Sequence, residues 1–489
     1  MQAHCINACK LNQIIKKYIT FKRANVLTCK RVNVLIMKKL LVIAYHFPPC
    51  ALSGTYRTMA WVRLLAQRGW DITVVTVKNP EPPLDYELLK KIPNSVKILR
   101  APYINPLEIL GKLKKSNHSP SHFSRFTSHL SPLTSHVLPL TSHPSPLTSH
   151  LSRLKDWLTW WLHIPDNHIC WLPFGLLKAI KAIKKYKISL IYSTSPYMTA
   201  HLIAGLTKKI TRIPWIADFR DPWRANPFRN IPYKILNHWD SILETWTVKQ
   251  ADHIICVTEY MKNDFMNRYP FIKNKISYIP NGYDPEDYEN LKPLREFDEN
   301  CFVITHTGTF YGPRSPIPVF KALSLFQQKS PELVRRVRIQ LIGMPEYNGE
   351  NLKDIATQFG ISHLVRVIPT VPKSKALAYL KGSNALLLMG FKGENSKIQV
   401  SAKFYEYLAI GKPILILAPQ KSDVAEIFYS TSIPGEICEP DNIPDITDKL
   451  AKIMKSQYQP SPQIEKFNRH NLIIELETIL NRLNNTFKK

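Results

Sequence analysis

The sequence predicts an α/β protein with two doubly wound, Rossmann-like domains that face each other across a cleft. Three observations support this expectation. Short continuous apolar runs, typical of parallel strands buried on both faces, alternate with helix-like segments along the chain. This alternation occurs twice, and a turn-rich stretch at residues 279–285 separates the two series. The length of 489 residues also exceeds what a single hydrophobic core organises.

The first series predicts an N-terminal domain over residues 37–285. It opens with an apolar strand at 40–45, a proline-rich loop, a helix at 57–68 and a second strand at 72–77. This is a βαβ unit, for which a right-handed crossover is expected. Further strands are predicted at 190–192, 215–218 and 253–257.

The second series predicts a C-terminal domain over residues 286–455. Strands are predicted at 302–306, 339–343, 364–368, 385–389 and 413–417, with helices at 317–326 and 402–409. Residues 456–489 are expected to contain a last helix, at about 464–483, that packs back onto the N-terminal domain. Ligands of such sheets bind at the carboxyl ends of the strands, so the cleft between the domains is the predicted active site.

Two segments fall outside this pattern. Residues 1–36 contain seven Lys or Arg and no Asp or Glu, and the stretch 22–27 is nearly repeated at 30–35. We expect Met37 to be the true start, with a targeting segment as the alternative. In residues 116–153, Thr-Ser-His recurs every seven residues together with proline, which predicts a low-complexity loop insertion rather than a helix or a metal site.

The composition limits the partners and the location. A formal net charge of +29 points to nucleic acid, an anionic membrane surface or phosphate-rich substrates. Lysines are spread along the chain without a compact basic motif, which disfavours nucleic acid. The eight cysteines are scattered and form no Cys-x-x-Cys pair, as in reducing compartments. No apolar run reaches the roughly 18–20 residues of a membrane span. We expect a cytoplasmic protein, with a peripheral position on the inner face of the cell membrane as an alternative.

Motifs for common cofactors are missing from the sequence. No Gly-x-Gly-x-x-Gly follows a strand, and there is no phosphate-binding Gly-x-x-x-x-Gly-Lys-Ser/Thr loop. No convincing Asp-x-Asp site for a metal-bound sugar nucleotide is present either. We therefore expect catalysis that needs no metal or other cofactor.

The most informative segment surrounds the predicted helix 402–409. Ser401 stands at the N-cap position, and the free amides that follow it favour an anion. Glu406 lies about one turn later, where its carboxylate could accept hydrogen bonds from ribose hydroxyls. The alternative is an ordinary surface helix with a solvated glutamate.

This segment resembles the donor-binding helix of the family 4 glycosyltransferases, which are retaining enzymes of the GT-B fold. Other stretches resemble a polysaccharide-assembly branch of that family and follow its order from about residue 37 to 430. These stretches are His46–Pro49 with Gly54 and Arg57, then 215–223, 251–258, 279–284 and 307–314. The resemblance implies transfer of a sugar from a nucleoside diphosphate to a glycan or lipid-linked acceptor.

The resemblance also implies roles for individual residues. Those implied to bind the donor are Gly54, Gly308, Thr309, Arg314, Ser401, Lys403 and Glu406. Arg314 is also a catalytic candidate, because a fixed cation stabilises the charge that develops on the leaving diphosphate. Asp221 is the candidate for positioning or deprotonating the acceptor hydroxyl. The alternatives are a surface arginine at 314, a plain turn glycine at 54, and a salt bridge of Asp221 with Arg220 or Arg224.

Several positions depart from the family pattern. The first acid of its Glu-x7-Glu pair would stand at Ile398, and Glu394 lies nearby but out of register. Residues 193–196 occupy the stretch where many relatives have a sugar-contacting histidine, and Thr309 replaces an arginine of some relatives. The contact with the donor sugar is therefore not predicted.

A last feature is a stretch rich in tryptophan and lysine at residues 154–187. It contains Trp157, Trp160, Trp161 and Trp171, and Lys178, Lys181, Lys184 and Lys185. This composition suits a membrane interface, with core packing of the tryptophans as the alternative. Two other functions stay open at this point: a sugar-nucleotide epimerase of the same fold, and a non-catalytic protein that binds membranes or nucleic acid.

Overall fold

The computed structural model describes residues 38–104, 159–226, 228–458 and 462–486. Its first sheet has seven parallel strands in the order β3-β2-β1-β4-β5-β6-β7. These strands are β1 (Lys39–Ala44), β2 (Asp71–Val77), β3 (Lys97–Ala101), β4 (Leu190–Thr194), β5 (Trp215–Phe219), β6 (His253–Cys256) and β7 (Ile276–Tyr278).

The second sheet has six parallel strands in the order β12-β9-β8-β13-β14-β15. Its strands are β8 (Phe302–Thr307), β9 (Val337–Ile342), β12 (Val365–Ile368), β13 (Ala385–Met389), β14 (Ile414–Leu417) and β15 (Gly435–Cys438). A small antiparallel hairpin of β10 (Glu346–Tyr347) and β11 (Glu350–Asn351) follows β9.

Helices connect the strands and cover the sheets. They are α1 (Ser53–Gln67), α2 (Glu87–Lys90), α3 (Leu172–Tyr186), α4 (Thr199–Thr211), α5 (Lys234–Gln250), α6 (Glu259–Arg268), α7 (Ile317–Lys329), α8 (Pro331–Val334), α9 (Leu352–Gln358), α10 (Lys373–Lys381), α11 (Ala402–Ile410), α12 (Asp423–Ser430), α13 (Ile443–Lys455) and α14 (Arg469–Thr486).

The alternation of side chains along β1 shows how the first sheet is built. Leu40 and Val42 belong to one hydrophobic core, and Leu41 and Ile43 belong to the core on the opposite face of the sheet. Successive side chains of a strand point to opposite faces, so a strand covered on both sides must be apolar at every position. The continuous apolar run of β1 is therefore a direct consequence of its central place in a doubly wound sheet.

The last helix, α14, crosses back to the first sheet. Its side chains Leu472, Leu476 and Leu480 share a core with Leu40 of β1. Glu477 of the same helix accepts a hydrogen bond from the indole of Trp70, which directly precedes β2, at 3.0 Å. The second sheet is thus followed by a helix that completes the core of the first.

The structure confirms the α/β fold of two parallel sheets that the apolar runs predict, and it corrects details. The helix after β1 begins at Ser53 instead of residue 57, so Gly54 lies in its first turn and not in the preceding loop. The sheet strands β3, β7 and β15 were not predicted, because β3 contains Lys97 and Arg100, β7 is only three residues long and β15 begins with Gly435 and Glu436. The last helix begins at Arg469, after the 3₁₀ helix Pro462–Phe467.

Some predictions fall on residues outside the described ranges. These are the basic segment 1–36, Met37 and the insertion at 116–153. Over the described ranges, each helix is too short or too polar to cross a bilayer.

Candidate active site

The carboxyl ends of the strands in both sheets are followed by loops that meet between the two sheets. The loop after β5 places Phe228 against Tyr311 and Phe391, with ring centroids 5.0 and 5.3 Å apart. At the other side of this contact, the hydroxyl of Thr258 donates to the carbonyl of Ile398 at 3.1 Å. Such a cleft between two strand ends is where ligands bind in doubly wound proteins.

Arg220 organises the wall formed by the first sheet. It follows β5, and its guanidinium donates to the carbonyls of Ser195 and Gly54, while its backbone amide donates to the Ser195 hydroxyl at 3.1 Å. Its Nη2 is buried and has no acceptor within the described ranges. Arg220 therefore joins the loop after β4, the start of α1 and the loop after β5 into one surface.

Gly54 permits a close approach of side chains, not of a loop backbone. A Cβ at this position would lie 2.6 Å from Nδ1 of His46 and 3.2 Å from Nη2 of Arg220. The residue is buried in the first turn of α1, beneath the imidazole of His46. The structure thus gives Gly54 a packing role, which its predicted place in a loop did not anticipate.

A cluster of charged and aromatic side chains supports His46. The Glu81 carboxylate accepts hydrogen bonds from Nε2 of His168 at 3.0 Å, from the Tyr197 hydroxyl at 3.2 Å and from Nε2 of His46 at 3.4 Å. Burial alone would raise the pKa of Glu81, but the two histidines outweigh it and hold that pKa well below its ordinary value. Sequence reasoning missed Glu81, because only the fold brings its proline-rich loop beside His46.

Asp221 lies on this wall without a partner. It is partly exposed and makes no hydrogen bond or ion pair with any residue that the structure describes, so the predicted alternative of a salt bridge with Arg220 or Arg224 is wrong. Burial raises the pKa of Asp221, while Arg220, His46 and Arg314 act in the opposite direction. The carboxylate therefore faces positive charge from both sides of the cleft.

Arg314 lies on the opposite wall, after β8. Arg314 is 8% exposed, its guanidinium lies 5.3 Å from the Tyr311 ring centroid and 6.0 Å from that of Phe228, and it forms no ion pair with a carboxylate within the described ranges. It lines a pocket at the ends of β13 and β14 together with Gly390, Phe391, Ser396, Gln399, Ser401, Leu417, Ala418, Pro419 and Ser422. An arginine without a counter-ion beside a polar pocket is suited to bind an anion.

Lys403 is the second cation on this wall. A Cβ at Gly308, which has a φ of +122°, would overlap with the Lys403 ammonium, so the strand-end glycine makes the space that this side chain occupies. Nζ has no hydrogen-bond acceptor in the part of the chain that the structure describes. Burial and the positive charge of Arg314 lower the pKa of Lys403 to about 7. The two side chains are therefore close enough for their positive charges to interact.

The remaining predicted donor residues lie around this pair. Ser401 is the N-cap residue of α11, but its hydroxyl makes no capping hydrogen bond, and it lines the pocket instead. Thr309 follows Gly308 and is partly exposed. One oxygen of Glu406 forms an ion pair with Nζ of Lys373, at 3.2 Å. The segments around Gly308, Arg314 and α11 are thus brought together, whereas Gly54 lies on the other wall.

The positions that depart from the family pattern give no second acid in the pocket. Ile398 is buried, and the side chain of Glu394 is 84% exposed and paired with Lys397. Gln399 lines the pocket, and its buried Oε1 has no donor among the described residues. Within the same ranges no group of three or more His, Cys, Asp or Glu residues could hold a metal ion.

The prediction that the tryptophans and lysines of residues 154–187 form a membrane-facing surface is wrong for Trp171. That side chain is fully buried in the core between α3 and the first sheet, while Lys181, Lys184 and Lys185 are exposed. Trp157 lies outside the described ranges. Core packing, the alternative weighed from the sequence, applies to Trp171.

Comparison with known proteins agrees with this geometry. Residues 55–287 match the sequence model of Glycosyltransferase Family 4. The chain is 21% identical over 182 residues to a D-inositol 3-phosphate glycosyltransferase of Streptomyces scabiei. That alignment covers 35% of this chain and 40% of the relative, so the chain spans less than half of the relative's length.

Solved structures share the fold over nearly the whole chain. A sucrose-phosphate synthase from Thermosynechococcus elongatus superposes with a TM-score of 0.58 at 13% identity, covering 91% of this chain and 99% of that chain. WaaG, a glycosyltransferase involved in lipopolysaccharide biosynthesis, superposes with a TM-score of 0.53 at 12% identity, covering 90% and 99%. Residues 55–287 therefore match Glycosyltransferase Family 4 in sequence, and the chain has the GT-B fold of two facing α/β domains.

Proposed function

We propose that this protein is a glycosyltransferase that moves a sugar from a nucleoside-diphosphate donor to a hydroxyl of a glycan or lipid-linked acceptor in cell-surface polysaccharide assembly. One observation carries the proposal: two cations without counter-ions, Lys403 and Arg314, converge beside Gly308 on one wall of the cleft, opposite the unpaired carboxylate of Asp221. A diphosphate would neutralise Lys403 and Arg314, and an acceptor hydroxyl would form a hydrogen bond with Asp221 on the opposite wall.

The donor wall would act mainly on the leaving group. When the bond between the anomeric carbon and the diphosphate breaks, negative charge grows on the leaving phosphate oxygen. Arg314 and Lys403 are fixed beside that position and would stabilise this charge more strongly in the transition state than in the ground state. We propose that these side chains provide the required positive charge, so that transfer needs no metal ion. Retention of the anomeric configuration is proposed from the family resemblance.

The acceptor wall would orient the nucleophile, which is a hydroxyl of the acceptor. In transfer, the acceptor oxygen forms a bond to the anomeric carbon while its proton leaves and the nucleoside diphosphate departs with the bonding electron pair. Asp221 lies at the wall opposite Arg314, has a raised pKa and has no competing partner within the described ranges, which suits it to orient the hydroxyl and accept its proton. Arg220 would hold the loop that carries Asp221.

A nucleotide-release assay tests the transfer reaction. Purified protein is incubated with UDP-, GDP- and ADP-linked sugars, with and without membrane extract, and the released nucleoside diphosphate is measured. We expect release that depends on the extract, and a decrease of about 10²–10³-fold in Arg314→Met. Arg335→Met is the matched control, because Arg335 is 73% exposed and lies just before the start of β9, at the end of the strand opposite the cleft. Release that is unaffected by Arg314→Met contradicts the proposal.

The same assay separates the alternatives. An epimerase of this fold would change the sugar while keeping the donor intact or would release the diphosphate without an acceptor. A non-catalytic protein would release none with any donor. Incorporation of labelled sugar into the extract distinguishes transfer from both.

We further propose that the outer face of α5 contacts an anionic membrane surface, where a lipid-linked acceptor would lie. Ile235, Trp239 and Ile242 are spaced on one side of this helix and are exposed by 58%, 42% and 42%. The acids of α5, Asp240 and Glu244, are buried and paired with Arg229 and Arg268, whereas Lys234 and Lys249 are exposed. An apolar stripe flanked by lysines is typical of interfacial helices.

Vesicle sedimentation tests this surface. Wild-type protein is expected to pellet with vesicles of phosphatidylglycerol and phosphatidylcholine, and much less with phosphatidylcholine alone. The double variant Ile235→Ser/Ile242→Ser should stay in the supernatant. Tyr429→Ser, which removes an equally exposed aromatic residue from the second sheet's domain, should pellet like wild type. Equal pelleting of both variants contradicts this surface.

A further inference from the structure

Lys373 lies at the first turn of α10, outside every segment that the sequence singles out. Its ammonium contacts two carboxylates, Oδ2 of Asp287 at 2.9 Å and Oε1 of Glu406 at 3.2 Å. Its side chain is 19% exposed, so these contacts are largely shielded from water. A lysine in such a position is held in one place instead of moving freely on the surface.

The same ammonium is bound from the first sheet's side of the cleft. It lies 4.4 Å from the ring centroid of Tyr56, which is in the first turn of α1. Asp287 in turn accepts from Nζ of Lys91, directly after α2, at 2.7 Å. Lys373 therefore connects α11 of the second domain to α1 and α2 of the first.

Charge keeps this cluster together. Burial alone would lower the pKa of Lys373, but Glu406 and Asp287 outweigh it and raise that pKa above its ordinary value, with Arg469 acting in the opposite direction. Lys373 therefore stays protonated near neutral pH. The ammonium lies nearest to Oε1 of Glu406, neither oxygen of this carboxylate has a hydrogen-bond donor among the residues that the structure describes, and Glu406 is 22% exposed.

We infer that Lys373 is a positioning residue, which fixes one oxygen of Glu406 so that the other can accept a hydrogen bond from the donor ribose. This inference rests on the proposed nucleoside-diphosphate donor. A carboxylate held by a largely shielded ion pair loses less rotational freedom when the ribose binds, which strengthens the contact. The anchoring through Tyr56 and Asp287 makes this geometry depend on both domains.

The test compares nucleotides that differ only in the ribose hydroxyls. Of UDP, GDP and ADP, the one that wild type binds most tightly is titrated calorimetrically, together with its 2′,3′-dideoxy form. We expect Lys373→Met to weaken binding of the ribose form about tenfold and to leave binding of the dideoxy form unchanged. Lys373→Arg should restore most of the loss, and Lys375→Met, on the exposed side of the same helix, should change neither.

A second set of variants guards against loss of folding. Lys373→Met leaves two carboxylates uncompensated, and the double variant Lys373→Met/Asp287→Asn removes one of them. Like Lys373→Met, the double variant should lose the preference for the ribose form over the dideoxy form. Adding Lys373→Met to Glu406→Ala should have no further effect on ribose binding, because both changes remove one interaction.

The outcomes are distinguishable. Equal weakening of the ribose and dideoxy forms, or no weakening of either, overturns the role of Lys373 while the proposed function stands. If wild type binds none of the three nucleoside diphosphates, the proposed function fails and the role of Lys373 fails with it.

Discussion

The guanidinium of Arg57 is joined to the carboxylate of Asp218 by two hydrogen bonds of 3.2 Å, from Nε and from Nη2. Both side chains are buried, Arg57 at 3% and Asp218 at 0% exposure. Arg57 also donates to the carbonyls of Ile279 at 3.0 Å and Pro280 at 2.5 Å. One ion pair therefore joins α1, the end of β5 and the chain that leaves the first sheet.

This pair predicts a large loss of stability on substitution. Removal of one partner of a buried ion pair leaves an uncompensated charge, so Arg57→Met should lower the free energy of unfolding by about 3–5 kcal/mol. Urea denaturation followed by circular dichroism measures the change. Lys90→Met is the control, because its pair with Glu87 is 74% and 73% exposed and such surface pairs contribute about 0–1 kcal/mol. Similar denaturation midpoints for the two variants would contradict this role of Arg57.

The sequence contains enough information to predict the framework but not all of the site. The strands β1, β8 and β13 follow from continuous apolar runs, since each lies inside a doubly covered sheet. The edge strand β3 does not, because four of its five residues are only partly buried, so the strand tolerates Lys97 and Arg100. Periodicity detects burial, and β3 is buried too little to show it.

The site was predictable where local sequence determines it. The N-cap of α11 at Ser401 and the glycine at the end of β8 are features of single segments, and the structure has them. Glu81 and Lys373 were missed because their partners are distant in sequence: His46 is 35 residues from Glu81, and Glu406 lies on a different helix from Lys373. Long-range contacts of this kind have no signal in one sequence.

Lys403 predicts how nucleotide affinity depends on pH. Its pKa of about 7 in the free protein should rise when a diphosphate binds, so binding takes up a proton above pH 7. The affinity for UDP, GDP or ADP, whichever binds, should therefore fall as pH increases from 7 to 9, by up to about tenfold per pH unit. Calorimetric titration at several pH values measures this slope.

Lys403→Arg is the informative control for this dependence. A guanidinium stays protonated throughout this range, so binding by this variant should be nearly independent of pH between 7 and 9. Lys403→Met should bind weakly at every pH and also lose the slope. The same slope in wild type and in Lys403→Arg would show that another group takes up the proton.

The close packing of Gly308 against Lys403 predicts that a larger residue at position 308 disturbs the donor wall. Alanine there would have an unfavourable φ of +122°, and its Cβ would overlap with the Lys403 ammonium. Gly308→Ala should therefore lower stability by about 1–3 kcal/mol and nucleotide affinity by tenfold or more, because the cation must move. Gly360→Ala is the matched control, since its φ is +69° and no atom lies within 4 Å of the added Cβ. It should lose stability without losing affinity, and a parallel loss of affinity in both variants would contradict the prediction.

The buried carboxyl group of Asp423 predicts that the contact between the two domains depends on pH. Its Oδ1 accepts from the amide of Tyr260 at the start of α6, at 3.2 Å, and its Oδ2 has no donor within the described ranges. Burial raises the pKa of Asp423 from 3.8 to about 6, although the nearby Thr258 side chain and the amide of Tyr260 oppose this. Because the folded protein binds this proton more tightly than the unfolded chain, the stabilisation is complete below pH 3.8 and is lost as pH rises through about 6.

Asp423→Asn should remove this dependence. The difference between a pKa of 3.8 and one of about 6 corresponds to about 3 kcal/mol, and asparagine keeps an oxygen that can accept from Tyr260. The variant should therefore be more stable than wild type at pH 8 by up to that amount, and similar to wild type at pH 4. Urea midpoints of both proteins at the two pH values give the comparison, in which all other titrating groups cancel. A variant that is less stable than wild type at pH 8 would mean that the ionised carboxylate, and not its protonated form, holds the domains together.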